Sequence, residues 1–243
     1  MTRIWMAAIA VAAAIASTAG TSLAEGSRQV GIAIFGGYGT YSMSDVNDAI
    51  TNPGTLFPGT SVTADEINGG ASFGGGLRFK RSDQVTLALD VSQLLAKTTG
   101  TAVFLGTPYD GELSLPATSV TLTVHYLFHA VSSSRLGIGL GAGYYACTGE
   151  LKATSGGFSD SADAEGSGFG LHALGVGDIP LSKTVHVEMG AGYRYAKTTD
   201  ITFDGGVLRN SDGSKSKVDW SGFTGRIGAT FYLGDAPEAP KSE

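Results

Sequence analysis

Four histidines, His125, His129, His172 and His186, are the residues of this 243-residue chain best suited to moving protons. A hydrolase would need one of them to activate a serine nucleophile. None stands next to Ser in a recognisable motif. His186 and Glu188 share one face of a strand-like segment, but two residues on one strand do not make a catalytic set. Gly36-Gly37-Tyr38-Gly39 and Gly74-Gly75-Gly76 lack the Lys-Ser/Thr and helix that follow a phosphate loop. Cys147 is the single cysteine, so there is no internal disulfide framework, and it reads as an inert small residue near a strand end. Acidic residues gather in three places: Asp45, Asp48, Asp65 and Glu66; Asp110 and Glu112; and Glu150, Asp160, Asp163 and Glu165 against Lys152. Carboxylates suit hard divalent cations, but no EF-hand spacing occurs, and a solvated rim accounts for them. The expectation is a protein that is not an enzyme, with no cofactor and no metal site.

The elements that carry these side chains read as strands. Apolar residues recur with period two. From Val185 to Ala196 one face holds Val185, Val187, Met189, Ala191, Tyr193 and Tyr195, and the other holds His186, Glu188, Gly190, Gly192, Arg194 and Ala196. The same split marks Gly70–Lys80, Gln84–Ser92, Ser119–Phe128, Arg135–Tyr145 and Gly222–Leu233. Two weaker segments complete the set. Gln29–Tyr41 alternates only at its start, and Gly166–Ile179 slips phase near Ala173-Leu174, where a bulge is expected. Connector lengths alternate as well. Arg81–Asp83, Ala130–Ser134 and Pro180–Lys183 are short; Ser42–Asn68, Thr98–Glu112, Glu150–Glu165 and Thr198–Lys217 are long. Within the first long loop, Ser44 to Ile50 predicts a short helix N-capped by Ser44 and ended by Asn52-Pro53-Gly54. Aromatics near strand ends, among them Tyr38, Tyr41, Tyr126, Phe128, Tyr144, Tyr145, Tyr193, Tyr195, Phe231 and Tyr232, suit interfacial girdles.

Composition narrows the class. Charged residues make up 16% of the chain, against roughly 25% in ordinary soluble domains, and the 37 glycines are about twice the usual share. Residues 1–24 read as a signal peptide: Arg3, an apolar run from Ile4 to Ala16 that is shorter than the roughly 20 residues a spanning helix needs, then Ser22-Leu23-Ala24 before cleavage. The net charge of −6 becomes one unit more negative without Arg3, which disfavours nucleic acid as a partner. No later run is long and apolar enough for a spanning helix. In lipid only helices and closed barrels satisfy every backbone polar group. The expected fold is therefore all-β, an eight-stranded antiparallel up-and-down transmembrane β-barrel over residues 25–234, with a disordered periplasmic tail at 235–243.

The last strand carries a more specific pattern. Arg226, Gly228, Phe231 and Leu233 stand in the order polar, any, Gly, any, any, aromatic, any, apolar. This resembles the outer-membrane insertion signal, and the mature chain resembles the small outer-membrane β-barrels of the OmpA-like membrane-domain type. The resemblance implies recognition by the barrel-assembly machinery and residence among outer-membrane lipid and lipopolysaccharide. The pattern departs from the family in one respect, because Gly234 to Glu243 follows the strand instead of the chain ending on an aromatic residue.

An eight-stranded barrel is just wide enough for side chains to fill. Arg78, Asp90, Glu188, Arg194 and Arg226 take the luminal phase with His125 and His186. Lone charges there would be costly, so pairing is expected. Adjacency along the wall predicts Glu188 with Arg226 and Asp90 with Arg78. The leading expectation is a monomeric barrel of structural or surface-interaction type with at most narrow solute or ion passage. The alternatives are an outer-membrane channel for small molecules and a soluble periplasmic lipid-binding β-barrel, which would need an apolar interior and a polar exterior.

Overall fold

Alternating apolar and polar residues turn opposite faces of a pleated strand to opposite sides. In the computed structural model, which describes residues 29–51, 60–104, 106–129, 134–156, 158–203, 206–207, 209 and 213–233, those faces become the outside and inside of a cylinder. The expected signal peptide, its cleavage site, the tail at 235–243 and the helix stop at Asn52-Pro53-Gly54 lie outside the described residues.

Eight strands form the wall: β1 (Gln29–Thr40), β3 (Gly69–Lys80), β4 (Val85–Leu94), β7 (Ala117–His129), β8 (Arg135–Ser155), β9 (Phe158–Pro180), β10 (Val185–Phe203) and β13 (Gly222–Leu233). Each pairs antiparallel with its neighbour, and β13 returns to β1 with Val30 opposite Leu233 and Gly39 opposite Thr224. The seam is closed, so the wall has no free edge.

Outward rows are apolar and open to their surroundings. Ile34, Leu140, Phe169 and Phe223 are exposed by 59, 59, 78 and 69%. From Leu136 to Tyr144 the exposed row spans about 27 Å along the strand at ~3.4 Å per residue. At a tilt of ~40° that gives roughly 21 Å of height, close to the apolar band of a membrane barrel. Such rows exclude the soluble arrangement, in which they would face one another inside. Tyr144 and Phe169 meet edge-on at 5.5 Å, as do Tyr193 and Phe223, at the long-connection end of the belt. Three aromatics expected in the girdles point inward instead. Tyr41, Tyr145 and Tyr232 are buried, because each takes the luminal phase of its strand.

The phase slip expected at Ala173-Leu174 is absent. β9 keeps continuous register with β8, and the one register shift with β10 falls between Thr199 and Thr202. Leu174 and Val176 simply point inward and pack with Leu127.

The long connections are more ordered than expected. β5 (Lys97–Phe104) and β6 (Thr107–Ser114) make a hairpin where an open loop was expected, and β2 (Thr60–Ala64) pairs with β5. β6 continues alongside β8, and β8 and β9 stay paired up to Ser155 opposite Phe158. Two short strands, β11 (Gly206–Val207) and β12 (Val218–Asp219), pair with β10. None of the described side chains of β2, β5, β6 and β11 is buried, so no apolar alternation marks them; β12 is buried instead, with Val218 2% exposed. Opposite charges sit along one face: Lys97 with Glu112 at 2.9 Å and Lys152 with Glu150 at 3.0 Å.

The predicted helix forms as α1 (Ser44–Thr51), but Ser44 is its first residue, not its N-cap. Met43 holds that place: its carbonyl accepts from Asn47 N at 2.8 Å, and it adopts φ +42°. A non-glycine residue there costs about 1–3 kcal/mol. Full burial of the Met43 side chain offsets it.

Leu140→Arg places a charge in the middle of the outward belt. It is expected to destabilise the barrel by about 2–4 kcal/mol in guanidinium unfolding from phospholipid vesicles. A change within ~0.5 kcal/mol, as for an ordinary water-facing site, would contradict a lipid-facing wall.

Candidate functional site

Inward side chains fill the barrel in layers. Near the middle, Arg78 on β3 donates through Nη1 to Asp90 on β4 and through Nε to Glu188 Oε2 on β10 at 2.8 Å. Arg226 on β13 donates through Nη1 to Asp90 Oδ2 at 2.8 Å. Two guanidiniums and two carboxylates make a neutral cluster. Arg78 and Asp90 are almost wholly buried, at 1% each. The Arg226 guanidinium also lies over the Phe35 ring, 5.0 Å from its centroid.

Asp90 and Arg78 thus meet as wall adjacency predicts, but Glu188 and Arg226 do not. Register is the reason: Glu188 stands opposite Gly228, while Arg226 stands opposite Gly190. Arg226 leans over the space left by Gly190 and reaches Asp90. In so narrow a barrel, long side chains reach across the axis as readily as along the wall. Gly76 is part of the same fit: a Cβ there would collide with Asp90 Oδ1.

Arg194 does not join this cluster. It lies higher, donating through Nε to the Trp220 carbonyl at 2.9 Å, with its guanidinium 5.6 Å from the Tyr41 centroid. Around and above it lies an apolar plug that contradicts the expectation of a polar lumen throughout. Tyr41, Leu94, Leu115, Tyr145, Ile201 and Trp220 are buried together there with Met43 and Cys147. Trp220 contacts Tyr41 edge-on at 5.1 Å and is 0% exposed. Asn47 of α1 is tied to the backbone of Ile67, whose N donates to Asn47 Oδ1 at 2.8 Å and whose carbonyl accepts from Asn47 Nδ2 at 3.3 Å. That clip holds the first long connection down on the plug.

His125 and His186 are both buried and inward. His186 Nδ1 lies 2.8 Å from Asp178 Oδ1, and its ring packs edge-on against Tyr232. Arg135 bridges Asp178, at 3.3 Å, to Asp83 in the first short turn. The hydrogen bond and charge of Lys80, then Arg135, hold the Asp83 carboxyl below its usual range. His172 is the other luminal histidine described, its Nε2 2.8 Å from Thr123 Oγ1. Sequence reasoning passed over His172 and Asp178. Strict period two through β9 would have shown both, but Leu174 and Val176 at luminal positions disguised it as a slip. Gly141 makes room for His172: a Cβ there would lie 2.5 Å from its Nε2.

Of the insertion pattern, Phe231 and Leu233 point outward and are exposed, while Arg226 belongs to the charge cluster and Gly228 faces Phe35 across the seam with β1. No group of three or more metal-ligating side chains occurs among the described residues. What the luminal arrangement can do chemically is fill and hold: its donors and acceptors are mostly spent on one another.

Asp90→Ala removes the shared acceptor of Arg78 and Arg226. It is expected to destabilise the barrel by about 3–5 kcal/mol, the range for stranding a buried partner, as read by guanidinium unfolding in lipid. A loss under ~1 kcal/mol would mean that the two arginines are solvated through the lumen.

No protein-family model matches the chain, and no curated protein matches its sequence. Among solved structures, it is similar to the outer membrane protein OprG from Pseudomonas aeruginosa, with 14% identity over 86% of this chain and 97% of that one and a TM-score of 0.48. A major outer membrane protein from Thermus thermophilus gives 13% identity over 84% and 99%, with a TM-score of 0.45. The outer membrane protein AlkL gives 14% over 91% and 97%, with a TM-score of 0.38. At these values the likeness reaches chain path and no further. With eight antiparallel strands closed on themselves, an apolar outer belt and a filled lumen, the chain has the fold of the small outer-membrane β-barrels.

Proposed function

We propose that this chain resides in a bacterial outer membrane as a monomeric barrel of structural or surface-interaction type. In this reading residues 1–24 direct export, the barrel-assembly machinery recognises Arg226, Gly228, Phe231 and Leu233, and the belt sits among lipid and lipopolysaccharide. The protein performs no catalysis and needs no cofactor. Its long connections, paired into strands beyond the belt, are the part offered to the surroundings.

The observation that carries this reading is the doubly blocked lumen. The Arg78–Asp90–Arg226–Glu188 cluster fills the middle, and the plug around Trp220 fills the end under the long connections. Near the short-turn end, Thr86, His125, Asp178, Glu188 and Tyr232 help line a cavity of about 20 Å³, room for one water. In this reading the lumen offers at most narrow solute or ion passage.

Planar-bilayer recording tests it. The purified protein is expected to give no steady, large conductance, and liposomes containing it should not swell with sugars. Steady conductance or graded swelling would move the assignment to a channel for small molecules.

A further inference from the structure

One large surface feature is not used by this reading. An open groove of about 940 Å³ crosses the outer wall at the long-connection end of the belt. Its floor is a single outward row: Phe73, Gln93, Thr118, Ala146, Ser167 and Thr199, each opposite the next across β3, β4, β7, β8, β9 and β10. Ala146 has an outward position yet is only 6% exposed, so the wall is recessed there. Below the floor stands the aromatic lip of Tyr144 and Phe169, continuous with the apolar belt. Above it stand Thr148 and Glu165.

The polar groups on the floor face outward with capacity to spare. Thr118 donates to Gln93 Oε1 at 2.9 Å, which leaves the Gln93 amide nitrogen free to donate outward. No side-chain hydrogen bond joins Thr148, Ser167 or Thr199 to another described residue. No Lys or Arg lines the groove, and Glu165 at its rim would repel a phosphate. Neutral acceptors suit this lining. In a bilayer, neutral acceptors at the level where rings give way to hydroxyls are the carbonyls that join acyl chains to a headgroup.

We propose that this groove is a binding site for one membrane lipid, whose acyl chain runs over Tyr144 and Phe169 and whose ester or amide carbonyl accepts hydrogen bonds from Ser167 and Thr199, which stand opposite each other on β9 and β10. The site rests on the reading that the outer belt faces lipid. It recognises the chain linkage and not the headgroup.

The test compares full-length protein reconstituted in vesicles of diester phosphatidylcholine with protein in vesicles of the diether analogue, followed by native mass spectrometry to count retained lipid. One diester lipid is expected to stay bound, with about tenfold lower retention of the diether. Ala146→Trp, which fills the groove, and Ser167→Ala with Thr199→Val, which keeps its shape and removes two donors, should each lower diester retention by about tenfold, equivalent to about 1.4 kcal/mol. Because the second variant is close to isosteric, it reports even if the tryptophan disturbs folding. Vesicle flotation runs alongside. Equal retention of diester and diether with no effect of either variant, in protein that floats with the vesicles, overturns the lipid site and leaves the barrel reading intact. Failure to float overturns the lipid-facing belt itself, and the site with it.

Discussion

A closed cylinder of eight strands has an interior that must be filled by side chains, and this one requirement orders most of the molecule. A wider barrel could leave its luminal charges to water. Here the space allows little solvent, so the charges at the middle find their counter-charges within the wall, while Arg194 above them is held by the Trp220 carbonyl and the Tyr41 ring. Arg78 is satisfied only because β3, β4 and β10 come within one side chain's reach of a common point, and Arg226 reaches Asp90 only because Gly190 leaves it a path. Burial of these charges is tolerable because the cluster is neutral and well bonded. It contributes a definite arrangement more surely than it contributes net stability.

The same requirement explains where glycine falls. Gly76 and Gly141 face inward next to Asp90 and His172, and a methyl group at either would occupy the space of the neighbouring polar atom. On β8 the inward row is nearly all glycine because β7 and β9 fill that part of the lumen from either side. A high glycine content is thus a packing property of this narrow wall.

The wall strands and their membrane-facing rows were legible in the sequence because lipid on one side and a crowded lumen on the other impose a strict two-residue period. Val185 to Tyr195 is plain in this sense. Legibility failed where one of those conditions lapsed. Leu174 and Val176 are luminal and apolar, so β9 imitated a slip. None of the described side chains of β5 and β6 is buried, so nothing in their residue order separated a hairpin from a loop. Trp220 and Met43 lie beyond the regular strands, and their burial depends on the first and last long connections folding back over the mouth. Site pairing was half legible: phase identifies which charges face inward, but Glu188 finding Arg78 instead of Arg226 depends on register and on reach across the axis.

The continuous pairing of β8 with β9 out to Ser155 and Phe158 has a mechanical side. From Tyr145 to Ser155 the ladder extends about 34 Å beyond the wall's aromatic lip, at ~3.4 Å per residue. It is braced on one flank by β6 and on the other by β10. Along β6, β8, β9 and β10 the described exterior is therefore a stiff parapet. Gly106 and Gly156, at φ +80° and +57° with open space around them, mark the tips of its two hairpins. Those crests are where extra residues can be accommodated without unzipping a ladder, so variation in outline should concentrate there while the flanks keep their shape.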